Sequence, residues 1–356
     1  MKTGVLREVH RAEARDLMAY HDWEVPTVYS TVEQEFQAAM TGATLLDHSL
    51  SGRLEVHGAD GLDLLHRLST NDLLSTQPGQ IVPTVLTTEK GRIVDYVKVA
   101  RRPSAPLLIV SPNHEDVVTR WIDRFCITED VQLRCISNDT SMFTFVGPRA
   151  QAVASGILGI ELPSGMTVEA NFGEATITAG YEETPRVQMA HVLVQNPEAE
   201  AVWKEMSKRA EELGVPRMGF AAYETFRIAR GIPDIGRELT DDFNPYEVGL
   251  RDAISMTKGC YIGQEVIARL DTYQKVKRKL MGILFTESCP SNSGQLTLLL
   301  AEGKEVGIMT SCSPHSVKGR HVGLGVVRSD LVREGDSLIL GDSSTRGIAI
   351  NTPLLL

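Results

Sequence analysis

Arg92-Ile93-Val94-Asp95-Tyr96-Val97-Lys98-Val99 repeats with a period of two, as expected of a strand whose successive side chains leave opposite faces. Ile93, Asp95, Val97 and Val99 fall on one face; Arg92, Val94, Tyr96 and Lys98 fall on the other. A carboxylate among apolar side chains is costly unless it is paired, hydrogen-bonded or turned toward a cavity. Asp95 is therefore either a ligand-facing group or a structural aspartate that caps or pairs internally. The wider stretch 84–100 is rich in β-branched residues and broken by Glu89-Lys90-Gly91, which predicts a hairpin.

Helical and strand periods mix on both sides of this hairpin. Ser30-Thr31-Val32-Glu33 reads as a capping box for a short helix carrying Val32, Phe36 and Met40 and stopped by Gly42. Leu54 and Val56 alternate around Glu55, and Asp60 opens a helix with Leu62, Leu65 and Leu68 on one side. A helix with Val117, Trp121 and Phe125 precedes strand-like runs at 131–136 and 142–146. Further strands follow at 175–178 and 187–194. An amphipathic helix with Val202, Trp203, Met206, Ala210 and Leu213 ends at Gly214, and Pro216 opens another that stops at Gly231-Ile232-Pro233. Beyond about residue 275 only short β-like runs remain, at 280–285, 306–310, 322–327 and 337–340, separated by glycine-rich turns. These orders predict an α+β protein with ferredoxin-like units and a small all-β C-terminal domain.

The bulk numbers narrow the function. At 356 residues, two or three domains are expected, and 42% hydrophobic against 23% charged residues is an ordinary globular composition. A net charge of -10 argues against general phosphate tracking on nucleic acid. The cluster Lys275, Lys277, Arg278 and Lys279, alternating with Val276, reads first as a solvated strand face and second as an anion contact. Five cysteines, odd in number and without a Cys-x-x-Cys pair, suggest neither a disulfide framework nor a metal site, and a reducing cytoplasm is expected. The N-terminus, broken by Arg7, Glu8, Glu13 and Asp16, has no apolar signal core. No uninterrupted apolar run approaches ~18 residues, so neither export nor a membrane span is expected.

Lys258-Gly259-Cys260-Tyr261-Ile262-Gly263-Gln264-Glu265 places one cysteine between two glycines just ahead of an apolar helical run. A helix start can hold an anion or lower a thiol pKa, so Cys260 is either a reactive thiol or a plain small residue. Arg227 and Arg230, three apart on a helix, can grip one carboxylate or simply face solvent. Glu247 lies in a turn-rich segment where carboxylates are mostly solvated, and Thr70-Asn71-Asp72 reads as a polar turn.

Together these pieces resemble the folate-binding superfamily of the glycine-cleavage T-protein (aminomethyltransferase) and the YgfZ-type proteins, over nearly the whole chain. The residues carrying the likeness are Trp23-Glu24-Val25-Pro26 with Tyr29, Leu46-Asp47-His48-Ser49, Thr70-Asn71-Asp72, Pro78-Gly79-Gln80 and Gly91 to Tyr96. Downstream they are Arg227 to Pro233, Gly236-Arg237-Glu238-Leu239, 245–250 and 306–311 with Ser313-Pro314. Lys-Gly-Cys-Tyr-x-Gly-Gln-Glu is similar to the YgfZ-type signature, whereas T-proteins carry an aspartate in place of Cys260 and a basic residue in place of Gln264. T-proteins also have two consecutive aspartates at Asp95-Tyr96. Their Tyr-Thr-Gly-Glu segment is replaced here by Tyr181-Glu182-Glu183-Thr184-Pro185, so the resemblance assigns no pterin-binding glutamate.

The resemblance implies two ferredoxin-like folate-binding subdomains plus a C-terminal β-barrel around a central channel, divided as 1–50 with 141–274, 51–140, and 275–356. It implies tetrahydrofolate or a derivative as cofactor, with Asp95, Tyr96, Arg227 and Glu247 at the folate and Asp95 and Cys260 as the chemically active pair. It implies a cytoplasmic protein supporting iron-sulfur cluster assembly or repair, including tRNA-thiolating enzymes. Its partners would be a folate and iron-sulfur client enzymes, without direct nucleic-acid or membrane binding. The alternative is a folate-dependent aminomethyltransferase or other one-carbon transferase. One cysteine cannot by itself supply four-thiolate cluster coordination.

Overall fold

The computed structural model describes residues 1–272, 276–285, 287, 296–300, 302–341 and 345–353; Lys275 and Cys289 lie outside this set. The chain packs as two compact units. The first comprises Met1–Leu86, Asp95–Ala222 and Asp252–Ile262; the second comprises Thr87–Val94, Tyr223–Arg251 and Gly263–Leu356.

The first unit opens with β1 (Lys2–Thr3), α1 (Arg7–Glu13), β2 (Asp16–Tyr20) and β3 (Trp23–Val28), whose strands form a small sheet in the order β1-β3-β2. Helix α2 (Val32–Thr41) is capped one residue later than the capping-box reading placed it: Thr31, not Ser30, accepts from the Gln34 N–H at 3.2 Å. The fully buried Glu35 instead takes the N–H groups of Tyr29 and Ser30, both at 2.7 Å, and of Gly219 at 2.8 Å.

Next come β4 (Thr44–Asp47), β5 (Gly52–His57), α3 (Gly61–Leu68), β6 (Ile81–Thr87), β7 (Ile93–Ala100), β8 (Leu107–Val110), α4 (Glu115–Asp123) and β9 (Gln132–Cys135). They are followed by β10 (Thr140–Val146), α5 (Ala150–Leu158), β11 (Met166–Phe172), β12 (Ala175–Glu183), β13 (Gln188–Gln195) and α6 (Asn196–Glu212). Two five-stranded sheets result, ordered β6-β7-β8-β5-β9 and β11-β12-β13-β10-β4. Strand β11, absent from the strands expected above, alternates Met166, Val168, Ala170 and Phe172 with Thr167, Glu169 and Asn171.

Helices α5 and α6 cover the second sheet. Ile157, Val202, Trp203 and Met206 pack on Phe143, Phe145, Ala179 and Val192 in one continuous core, each large apolar side chain contributing roughly 1.5–3 kcal/mol on burial. A smaller cluster joins the two sheets through Ile81, Ala100, Leu107 and Ile136 with Met142 and Leu193.

The second unit contains α7 (Phe220–Arg230) from Tyr223 onward, α8 (Gln264–Thr272), and β14 (Arg278–Phe285), β15 (Leu296–Leu300), β16 (Glu305–Cys312), β17 (His321–Arg328), β18 (Ser337–Leu340) and β19 (Arg346–Ile350). The six strands close into a barrel in the order β14-β17-β16-β15-β18-β19, as the loss of helical periodicity predicts. Cys126, Cys135 and Cys260 are free, but Cys312 is disulfide-bonded, which corrects the expectation that no disulfide forms.

Candidate functional site

Strand β7 behaves as its alternation requires. Ile93, Asp95, Val97 and Val99 are buried, and Val94, Tyr96 and Lys98 are half-buried. Asp95 is 0% exposed. Its Oδ1 accepts from the Ser111 hydroxyl at 2.5 Å and from the Tyr96 N–H at 2.8 Å, its Oδ2 accepts from the Ser111 N–H at 3.1 Å, and His114 Nδ1 stands 3.6 Å away. Asp95 is thus held by β8 and the start of α4.

The opposite face of β7 carries a polar cluster that the sequence reading did not assemble. Lys98 forms an ion pair with Glu182 of β12, which is 5% exposed. His191 of β13 stands 3.1 Å from the same carboxylate oxygen through Nε2, and 2.9 Å from the Thr144 hydroxyl through Nδ1. With the proton on Nε2, His191 donates to Glu182 and accepts from Thr144, which satisfies both ring nitrogens. Burial alone would raise Glu182, but Lys98 and His191 outweigh it and hold the carboxyl down at about 2. Burial, reinforced by Lys98, lowers His191. Burial raises Tyr96, and the Glu182 charge pushes in the same direction. Among the described residues Glu182 Oε2 has no hydrogen-bond partner, so a buried ionised carboxylate offers one free acceptor. The one signal in the sequence was a lone histidine inside the apolar run of β13, Met189-Ala190-His191-Val192-Leu193-Val194.

Near this cluster, Asp47 accepts from the Ser49 hydroxyl at 2.5 Å and pairs with His10 at 2.8 Å, and His10 in turn meets the Tyr29 hydroxyl at 2.8 Å. His48 is driven down to about 3, chiefly by burial and further by His191 and Lys98. Arg53 of β5, fully buried, fixes this turn: its guanidinium donates to the carbonyls of Ser49 (2.9 Å), Ser51, Ser137 (2.7 Å) and Thr140 (2.9 Å) and to the Thr140 hydroxyl (2.9 Å).

Two of the motifs quoted from sequence meet directly in the first unit. Lys258 is buried, and its Nζ donates to the carbonyls of His66, Ser69 (2.7 Å) and Asn71 (2.8 Å) at the end of α3. Thr70 donates to the Ala253 carbonyl at 2.6 Å, and Asn71 donates to the Pro83 carbonyl at 2.8 Å. Thr70-Asn71-Asp72 is therefore a docking turn for Lys258, whose ammonium burial pulls down to about 8. Cys260 is exposed and lies four residues before the first residue of α8, outside the helix start that its sequence context suggested. Gly263, in contrast to Gly259, needs to be glycine: its φ is +83°, and a Cβ would come within 2.6 Å of the Thr88 carbonyl oxygen, whereas a Cβ on Gly259 would meet nothing within 4 Å.

Arg227 and Glu247 both belong to the second unit and sit in separate ion networks. Arg227 is buried; it grips Glu224 through two bonds of 2.6 Å, approaches Glu238 at 3.4 Å and donates to Ser311 at 3.0 Å. Ser311 also donates to Glu238 at 2.7 Å, joining the Gly236 to Leu239 motif to β16. Glu247 is held bidentately by Arg278 at 2.7 and 3.0 Å, takes the Asn244 N–H at 3.0 Å and lies 3.6 Å from Arg92. Among the described residues no group of histidine, cysteine, aspartate and glutamate side chains is arranged to hold a metal ion. No helix among them is long and apolar enough to cross a membrane.

Comparison with known proteins agrees with this architecture. A chloroplastic protein of Arabidopsis thaliana whose name proposes a transferase is 32% identical over 91% of this chain and 74% of its own length. The aminomethyltransferase of Shouchella clausii is 29% identical over 93% of this chain and 92% of its own. The crystal structure of the glycine cleavage system aminomethyltransferase T from Bartonella henselae superposes with a TM-score of 0.83 at 20% identity, over 99% of this chain and 98% of that one, which shows a shared fold. Residues 6–179 and 191–258 match the family described as the GCVT N-terminal domain, and the chain belongs to that family.

Proposed function

We propose that this protein is a folate-dependent one-carbon transferase of the aminomethyltransferase type, with tetrahydrofolate or a derivative as the one-carbon acceptor. The observation that carries the reading is Glu182: a buried carboxylate, kept ionised by Lys98 and His191, with one oxygen lacking a partner among the described residues. Such a group suits a ligand with adjacent N–H donors, and the aminopyrimidinone ring of a folate presents an N–H and an NH2 side by side. When bound, the folate would supply the nucleophilic nitrogen that receives the carbon.

The chain's own residues would bind and orient it. Glu182 would anchor the ring and Tyr96, on the same face of β7 as Lys98, would border it, while Asp95, buried on the opposite face and fixed by Ser111, would act through β7 by holding the strand that presents Tyr96 and Lys98. Arg227 and Glu247 would order their segments through the ion pairs they form. The proposal is tested by titrating tetrahydrofolate into wild type and Glu182→Gln and assaying amine-dependent one-carbon transfer. The variant should bind about tenfold or more weakly, the equivalent of one charge-assisted hydrogen bond. Unchanged affinity would remove Glu182 from the site, and absence of saturable binding by wild type would remove the folate reading.

A second reading, YgfZ-type support of iron-sulfur enzymes, is favoured by the exposed free thiol of Cys260 in its Lys-Gly-Cys-Tyr context. It requires Cys260→Ala to lose iron-sulfur-dependent tRNA thiolation in a deletion strain while amine-dependent transfer is absent from wild type.

A further inference from the structure

The second unit contains a cavity of about 400 Å3 that the proposed transfer chemistry does not use. Lys90 and Arg92 reach it from the β6–β7 turn, Glu265 and Arg269 from α8, and Lys277 from just before β14, with Glu247 beside them. Among the described residues four cations therefore face two carboxylates. One of those, Glu247, is already neutralised by the bidentate Arg278. Arg92 is partly engaged, donating to the Asp242 carbonyl at 2.8 Å and standing 3.6 Å from Glu247. Among the described residues Lys90, Arg269 and Lys277 have no ion-pair partner. Asn244 adds a neutral amide, and Val266 and Leu270 supply an apolar wall.

A concave site with uncompensated like charges draws counter-ions, because its low-dielectric walls focus the field. Guanidinium forks match carboxylates, and small-molecule sites typically combine an apolar wall with a few placed polar groups. Inorganic phosphate would satisfy the charge but leave most of the volume to water and Val266 and Leu270 unused. A neutral ligand would bury cations without partners. We propose that this cavity is a second ligand site, taking a small polycarboxylate with a short hydrocarbon body. The cationic run around Lys277, read from sequence mainly as a solvated face, would then serve as one wall of it.

The test is calorimetric titration of the full chain with tricarballylate, a tricarboxylate on a three-carbon body, and separately with inorganic phosphate, both at low ionic strength. The expected result is saturable binding of tricarballylate at one site, about tenfold tighter than phosphate. Arg269→Gln combined with Lys277→Gln should weaken it about tenfold or more, since each removes one charge-assisted contact. Lys204→Gln on the exposed face of α6 serves as the charge control and should leave binding unchanged. Equal affinity for phosphate, equal binding by the double variant, an equal loss in the Lys204 control, or no saturable binding by wild type would each overturn the proposal. Circular dichroism of the double variant should match wild type, because both side chains are exposed.

Discussion

Replacing Arg53 by methionine keeps most of the side-chain volume and removes a fully buried guanidinium that donates five hydrogen bonds, four to carbonyls and one to a hydroxyl. Two effects oppose each other. Burial pulls Arg53 well below its ordinary range, to about 10, so its charge carries a desolvation penalty of about 3 kcal/mol that methionine would relieve. A hydrogen bond from a charged donor is worth about 1.5–3 kcal/mol, and five at the lower figure exceed that penalty by about 4 kcal/mol. That agrees with the roughly 3–5 kcal/mol lost when one partner is removed from a buried charged network. In a unit of this size the melting temperature should fall by about 8–16 °C, measured by circular dichroism alongside urea unfolding. Arg53→Lys, with three donors, should lie between wild type and methionine. An Arg53→Met protein within about 1 kcal/mol of wild type would show that the carbonyls of residues 49, 51, 137 and 140 find other donors, and the reasoning would fail.

Three further outcomes follow from the same geometry. Between pH 6.5 and about 3 the unfolded chain protonates His48 while the folded chain does not, so stability falls as pH falls, by about 2 kcal/mol at pH 5 from this group. Glu182, held at about 2 against an ordinary 4.5, adds a loss in the same direction below pH 4.5; urea midpoints flat from pH 7 to pH 4 would contradict the first, and midpoints flat from pH 4 to pH 3 the second. Lys258→Met should destabilise by about 2 kcal/mol and speed amide exchange at Thr70, whereas Cys260→Ser, at an exposed position, should stay within about 0.5 kcal/mol. Gly263→Ala should cost more than about 2 kcal/mol and Gly259→Ala less than about 0.5 kcal/mol, since only the first is left-handed and crowded; similar chemical-denaturation midpoints for the two would refute the distinction.

Local periodicity carried much of the fold. The β7 alternation correctly sent Asp95 inward and Tyr96 and Lys98 to the other face, and the end of helical periodicity near residue 275 marked the barrel. Both follow from rules that need only a residue and its near neighbours. The sequence could also show that Asp95 needs an internal partner, because a carboxylate among apolar side chains cannot go unsatisfied. It could not name that partner as Ser111, nor tell that Arg53, on the polar face of β5 with Glu55, is buried by residues more than eighty positions away.

The same limit applies to the candidate site. Lys98 and Glu182 are 84 residues apart, and Lys258 and Ser69 are 189 apart. Each is an ordinary surface-type residue until a long-range fold closes around it, and no period or spacing encodes that closure. The sequence by itself determined which residue types lie on which face of each element and the family to which they point. Only the tertiary structure decided which charges are buried against one another, because burial and pairing depend on contacts between segments remote along the chain, and these set both the ionisation of Glu182 and the anchoring of Lys258.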